Sequence, residues 1–211
     1  MDTVTDNRAA PSPAAGPDVL RRMLRRPRLG TLVQAPRIVK YRALSSLRPE
    51  GGEPIVLQPV LFLGPGSVKL GEGVQFGWRA SPLFYAGYCH VEVSSSEGTV
   101  EIGDRTEFNN NLFIKSEGAG IKIGAHGLFG ANVEIFDSNF HDLDPARRHD
   151  GRPKMAPVEI GDNVFVGMGV KILKGSRIGS DSVIGAGAVV TGEIPAGVVA
   201  AGNPARVIRK L

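Results

Sequence analysis

The chain has 211 residues, 42% of them apolar and only 6% aromatic, with 28 glycines, 15 prolines and a single cysteine. That balance suits one or two turn-rich globular units and argues against an ordinary helical bundle. Lone Cys89 excludes an internal disulfide, and no apolar run approaches the roughly 18 residues of a membrane span. The net charge is +4, and its basic excess crowds into one early stretch: Arg21, Arg22, Arg25, Arg26, Arg28, Arg37, Lys40, Arg42 and Arg48.

In chain order, residues 1–17 are mostly Asp, Thr, Asn, Pro, Ala and Ser, without the apolar core of a signal peptide. They read as a disordered tail on a cytoplasmic protein. Residues 18–54 form a basic helical or irregular segment. Asp18 can cap a short helix through about Arg26, which Pro27 interrupts, and a second helical stretch is expected from Arg37 to Leu47, before Pro49 and Gly51-Gly52. The basic run reads first as a solvated helix face and second as a peripheral surface for anionic lipid or nucleic acid. It also suits a polyanionic small molecule.

From Ile55 the texture changes. Ile160, Val166, Ile172, Ile178, Ile184 and Val190 recur every six residues without a break. Val164, Val170, Ser176, Ser182 and Ala188, all small, follow four positions after each of the first five, and glycine follows the aliphatic at 161, 167, 179 and 185. The same unit stands upstream at Ile102, Phe108 and Ile114, again at Ile123, Phe129 and Ile135, and in an earlier form around Leu70, Val74 and Phe76. A period of six fits neither a helix nor a two-residue alternation. It fits a prism in which each hexapeptide supplies one short strand and one turn. Three hexapeptides close a coil, and the aliphatics stack inward about 4.8 Å apart from coil to coil. Residues 55–205 are therefore expected to form a parallel β-helix, an all-β solenoid, with 206–211 as a tail.

One conspicuous break interrupts the repeats, the polar stretch 136–157, which must lie outside the prism as a protruding loop. Such a loop can carry a general base that works near neutral pH, for which histidine is suited. Four exist. His90 and His126 fall within coils and read as structural; His149 lies far out on the loop; His141 lies just past the last regular inward residue, flanked by Asp137, Asp142 and Asp144. Cys89, in a repeat-like apolar stretch, reads as a buried structural thiol rather than a nucleophile.

Several stretches carry a family resemblance: Phe108-Asn-Asn-Asn111, Asp137-Ser-Asn-Phe-His-Asp-Leu-Asp-Pro145, Ile160-Gly-Asp-Asn-Val-Phe-Val-Gly167, Ile184-Gly-Ala-Gly-Ala-Val-Val-Thr191 and Ala201-Gly-Asn-Pro-Ala-Arg-Val-Ile-Arg209. From about residue 100 onward the chain resembles the hexapeptide-repeat, LpxA-like acyltransferases. Within them it is similar to the maltose, galactoside and nodulation O-acetyltransferases and to polysaccharide-cluster O-acetyltransferases. The resemblance implies a left-handed β-helix, although the general rule for parallel crossovers favours the right hand. It further implies acetyl-CoA as acyl donor with no metal, a sugar or sugar-containing acceptor, a homotrimer with sites between subunits, and no nucleic-acid partner.

Residue by residue, the resemblance makes His141 the general base. Asn110, with Asn111 beside it, Asp137 and Phe165 fall at the acceptor, and Gly167, Gly185, Thr191, Arg206 and Arg209 along acetyl-CoA. Phe165 stands where many relatives carry tryptophan, and the first 55 residues look more like the polysaccharide-cluster members than the sugar transferases. The same base and fold would serve an N-acetyltransferase on an amino sugar. A γ-type carbonic anhydrase shares the helix but needs three histidine ligands, a spacing this chain does not offer. A ligand-free structural solenoid leaves the histidine-bearing break unexplained, and a serine acetyltransferase would bring a long helical N-terminal domain.

Overall fold

The computed structural model describes residues 29–211. The expected tail over 1–17 and the short helix through Arg26 lie outside these residues. Helix α1, Leu29–Leu44, comes first. Twenty-one short strands, β1 to β21, follow from Glu50–Gly51 to Arg206–Lys210 and fall into three sheets of seven, eight and six strands. Up to β20, Val198–Ala201, the pairing within each sheet is parallel and joins each strand to the one three further on. The chain therefore visits the first, second and third sheet in turn, and each round is one coil of a three-sided parallel β-helix.

The hexapeptide columns are the ladders of this prism. Ile160 on β13 (Val158–Ile160) pairs with Ile178 on β16 (Arg177–Ile178), 18 positions on. Likewise Val166 pairs with Ile184 and Ile172 with Val190, and all six side chains are buried. The upstream unit fits the same columns, with Ile123 between Ile102 and Ile160, Phe129 between Phe108 and Val166, and Ile135 between Ile114 and Ile172. Phe76, Phe108 and Phe129 stack inside the second sheet with ring centroids 5.4 and 4.7 Å apart. The second column is buried too, and its serines are satisfied: Ser176 Oγ donates to the Val190 carbonyl and Ser182 Oγ to that of Pro195.

Four features depart from the sequence reading. Helix α1 begins before Arg37, runs through Pro36 and ends at Leu44. Pairing starts at Glu50, where β1 meets Lys69 and Leu70, rather than at residue 55. The regular coils are broken twice: besides 137–157, residues 77–88 leave the prism between β5 (Gln75–Phe76) and β6 (Cys89–Val93). Finally, residues 206–210 are not a tail but strand β21, which folds back antiparallel on β20.

Candidate active site

The loop 137–157 leaves from β12 (Glu134–Phe136) on the third sheet and re-enters at β13 on the first. Its neck is a short antiparallel ribbon: Ser138 bridges Met155, and the Asn139 and Ala156 amides donate to the Lys154 and Asp137 carbonyls. Outside the prism wall the root is packed by rings. His90, Phe113, Phe136 and Phe140 follow one another edge to face at 5.0–5.2 Å, and Lys115 Nζ sits 5.5 Å from the centre of the Phe140 ring. Lys115 is itself held by Glu92 and Glu117. Burial works against the charge on Glu92, yet hydrogen bonds from His90, Lys115 and Ser94 outweigh it and keep its carboxyl below the ordinary value. Phe140 has φ of 62°, a left-handed backbone for a bulky residue, so this packing sets the direction in which the next residue leaves.

That residue is His141, exposed, with Nδ1 3.2 Å from the Arg148 carbonyl oxygen. A carbonyl only accepts, so Nδ1 carries the hydrogen and the Nε2 lone pair is free, the tautomer a general base needs. The Arg148 carbonyl is positioned by the acidic residues around it. Asp144 caps the Pro145–Arg147 turn by accepting from the Ala146 amide, with proline at the first turn position. Asp142 accepts from the Asp144 amide, both carboxylates pair with Arg147, and the Gly151 amide closes onto the Arg147 carbonyl. Asp142 and Asp144 thus order the loop that orients the imidazole and make no bond to it. Arg148 was invisible as a site residue because its contribution is a carbonyl; the Asp-Leu-Asp-Pro turn signature was the available signal.

Asn110 and Asp137, expected at the acceptor, are fully buried. Asn110 Oδ1 accepts from the Trp78 amide, and its Nδ2 donates to the carbonyls of Trp78, Ser81 and Pro82, pinning the 77–88 excursion. Asp137 accepts from Ser116 Oγ and from the amides of Glu117, Gly118 and Gly120 in the neighbouring coil. Asn111, at φ 63°, donates to Asn132 Oδ1 across coils. Phe165 does reach a surface. With Trp78, Ser81, Asn109 and Leu128 it lines an open groove of about 270 Å³ on the second sheet, where Phe165, Trp78 and Leu128 are half-exposed. Trp78 and Ser81 were missed because the excursion carrying them has no periodicity. This groove lies on the second sheet, toward its corner with the third, whereas His141 leaves at the corner of the third and first.

Gly167 is packed where coils touch: a Cβ there would lie 2.5 Å from the Ala186 amide nitrogen. Gly185 is similarly close to the Ala201 side chain, and Thr191 is exposed. Arg206 and Arg209, three apart, would face opposite ways on a regular strand. The register shift in the β20–β21 pair places Arg206 opposite Ala201 and Arg209 opposite Val199, two residues on one face, so the irregularity brings both arginines to the same side. Cys89 is wholly buried, its thiol 3.5 Å from Gln58 Oε1, and burial pushes its pKa up to about 12, which leaves no thiolate for nucleophilic work near neutral pH. Among the described residues there is no group of three or more His, Cys, Asp or Glu side chains placed to hold a metal, and no helix long and apolar enough to cross a membrane.

Residues 157–192 match the bacterial transferase hexapeptide model of six repeats. A Saccharomyces cerevisiae protein assigned as an acetyltransferase is 44% identical over 130 residues, 62% of this chain and 61% of its own length. The galactoside O-acetyltransferase of Escherichia coli is 40% identical over 134 residues, 64% of this chain and 61% of its own. The chain thus spans about three-fifths of the length of these curated relatives. The hexapeptide-repeat acetyltransferase of Vibrio cholerae, solved in complex with acetyl-CoA, superposes with a TM-score of 0.53 at 27% identity, over 87% of this chain and 84% of that one.

Proposed function

From a chain that carries the hexapeptide repeats of the bacterial transferases, we propose an acetyl-CoA-dependent O-acetyltransferase that acts on a hydroxyl of a sugar or sugar-containing acceptor. The observation that supports this reading is the imidazole of His141, held through Nδ1 on a backbone carbonyl, which leaves the Nε2 lone pair to accept a proton. In the reaction Nε2 takes the proton of the acceptor hydroxyl as its oxygen attacks the thioester carbonyl. A backbone N–H of the facing wall stabilises the oxyanion. The tetrahedral intermediate expels CoA sulfur, which leaves with the proton from the imidazolium, so the base is regenerated and no acyl-enzyme forms. The guanidiniums of Arg206 and Arg209, on one side of β21, suit the phosphates of CoA, with Thr191, Gly167 and Gly185 read as lying along the rest of the cofactor.

The coils are read as left-handed and the working unit as a cytoplasmic homotrimer in polysaccharide biosynthesis. The separation of His141 from the Trp78–Phe165 groove by the width of the third sheet supports the trimer, since a second copy would complete the site. The test is His141→Ala against a panel of sugar and amino-sugar acceptors. Turnover should fall about 10²- to 10⁴-fold with acetyl-CoA binding retained; undiminished turnover would remove His141 from the chemistry, and preference for amines would shift the reading to N-acetylation.

A further inference from the structure

Helix α1 is seated with its polar side inward. Gln34, almost fully buried, donates from Nε2 to the Phe84 carbonyl. The Arg37 guanidinium donates to Gln34 Oε1 and, at 2.7 Å, to the Gly87 carbonyl. The Tyr41 ring lies 4.6 Å from that of Tyr88. These contacts fix the helix to the 77–88 excursion and decide which face is left over.

The face left over is apolar. Leu32, Pro36, Val39 and Ala43 recur at i, i+4, i+7 and i+11, one stripe of a helix. Leu32 is 58% and Val39 67% exposed. Lys40 and Arg42 border the stripe, one on each side, and both are exposed. Between residues 19 and 49 the sequence holds nine basic residues and no acidic one, five of the nine standing at 21–28 immediately ahead of the helix. A second copy of this face would bring the same basic excess of sequence. A nucleic acid would answer the charge and leave the stripe wet. An anionic lipid surface answers both, because its phosphates meet the cations while the boundary of headgroup and acyl chain takes the apolar side chains.

We propose that α1 is a peripheral docking helix for anionic membrane surfaces, an assignment independent of the proposed reaction. The experiment is co-sedimentation of the full chain with vesicles of mixed phosphatidylglycerol and phosphatidylcholine, and with pure phosphatidylcholine. The wild type is compared with Leu32→Asp/Val39→Asp and with Lys40→Gln/Arg42→Gln; circular dichroism melting and the mass in solution are followed in parallel. The wild type should sediment with the anionic vesicles and far less with the neutral ones. The aspartate pair should lower partitioning more than tenfold, and each neutralised cation should lower it roughly fivefold, with melting unchanged because these side chains are exposed. No sedimentation with anionic vesicles would overturn the proposal, as would partitioning indifferent to the aspartate pair. A change in oligomeric mass in that pair would overturn it as well, by showing that a second copy covers the stripe.

Discussion

Replacing Asp137 by alanine removes a carboxylate with no exposed surface that serves a turn in the preceding coil. Three of its contacts are short, from Ser116 Oγ at 2.6 Å, the Glu117 amide at 2.8 Å and the Gly120 amide at 2.9 Å, and the Gly118 amide adds a longer one at 3.4 Å. A buried donor left unpaired costs roughly 1–3 kcal/mol. Glu117 to Gly120 are only half-buried, so water recovers part of the loss for the two short amides, while Ser116 is fully enclosed. The sum comes to about 3–5 kcal/mol for Asp137→Ala and about 1–2 kcal/mol for Asp137→Asn, which keeps the shape and loses the charge assistance. Guanidinium unfolding followed by far-UV circular dichroism measures both. A loss below about 1 kcal/mol for the alanine variant would show that the turn does not depend on the carboxylate. A normally stable Asp137→Asn protein with strongly reduced turnover would return Asp137 to the acceptor site.

Two further substitutions address the loop and the buried thiol. Asp144→Ala removes the cap of the 145–147 turn and the Arg147 ion pair, both of which help place the Arg148 carbonyl. It should lower kcat several-fold with little change in KM for acetyl-CoA; an unchanged kcat in steady-state assays would mean the turn does not position His141. Native Cys89 should resist iodoacetamide at pH 8 and react in guanidinium, and alkylation of the native protein would contradict its burial. Because folding raises this thiol, the stability tied to it is complete below its ordinary value of 9.0 and is lost as pH climbs toward about 12. Cys89→Ser should therefore flatten that part of the stability curve relative to wild type, and parallel curves would refute the linkage.

The inward columns were legible because a period of six survives any detail of side-chain choice. Ile160, Ile178 and their partners carry the fold in their spacing, and Phe108 and Phe129 take up the same columns without being aliphatic. His141 was legible as the imidazole nearest the last regular inward residue in the long polar break, with His149 farther out. Its orientation was not, since the Arg148 carbonyl has no residue signature. Asn110 and Asp137 look like site residues in a string of polar letters. Only the stacking of coils shows that each is consumed by a segment some 20–30 positions upstream. The excursion 77–88 escaped notice for lack of any period, yet it bears Trp78 and receives helix α1. The helix starts earlier than the expected Arg37 because the anchors at Gln34, Arg37 and Tyr41, on either side of Pro36, hold it through that position. Arg206 and Arg209 read as a tail because the irregularity that aligns them exists only in pairing with β20.

The measurement that tests the central claim most directly is calorimetric titration of the full chain with acetyl-CoA, with CoA and ATP alongside. Saturable binding near one site per chain, weakened at least tenfold by Arg206→Ala/Arg209→Ala, is the result expected from two guanidiniums on one face meeting phosphate. Absence of binding at millimolar acetyl-CoA would contradict the assignment as an acetyl-CoA-dependent transferase.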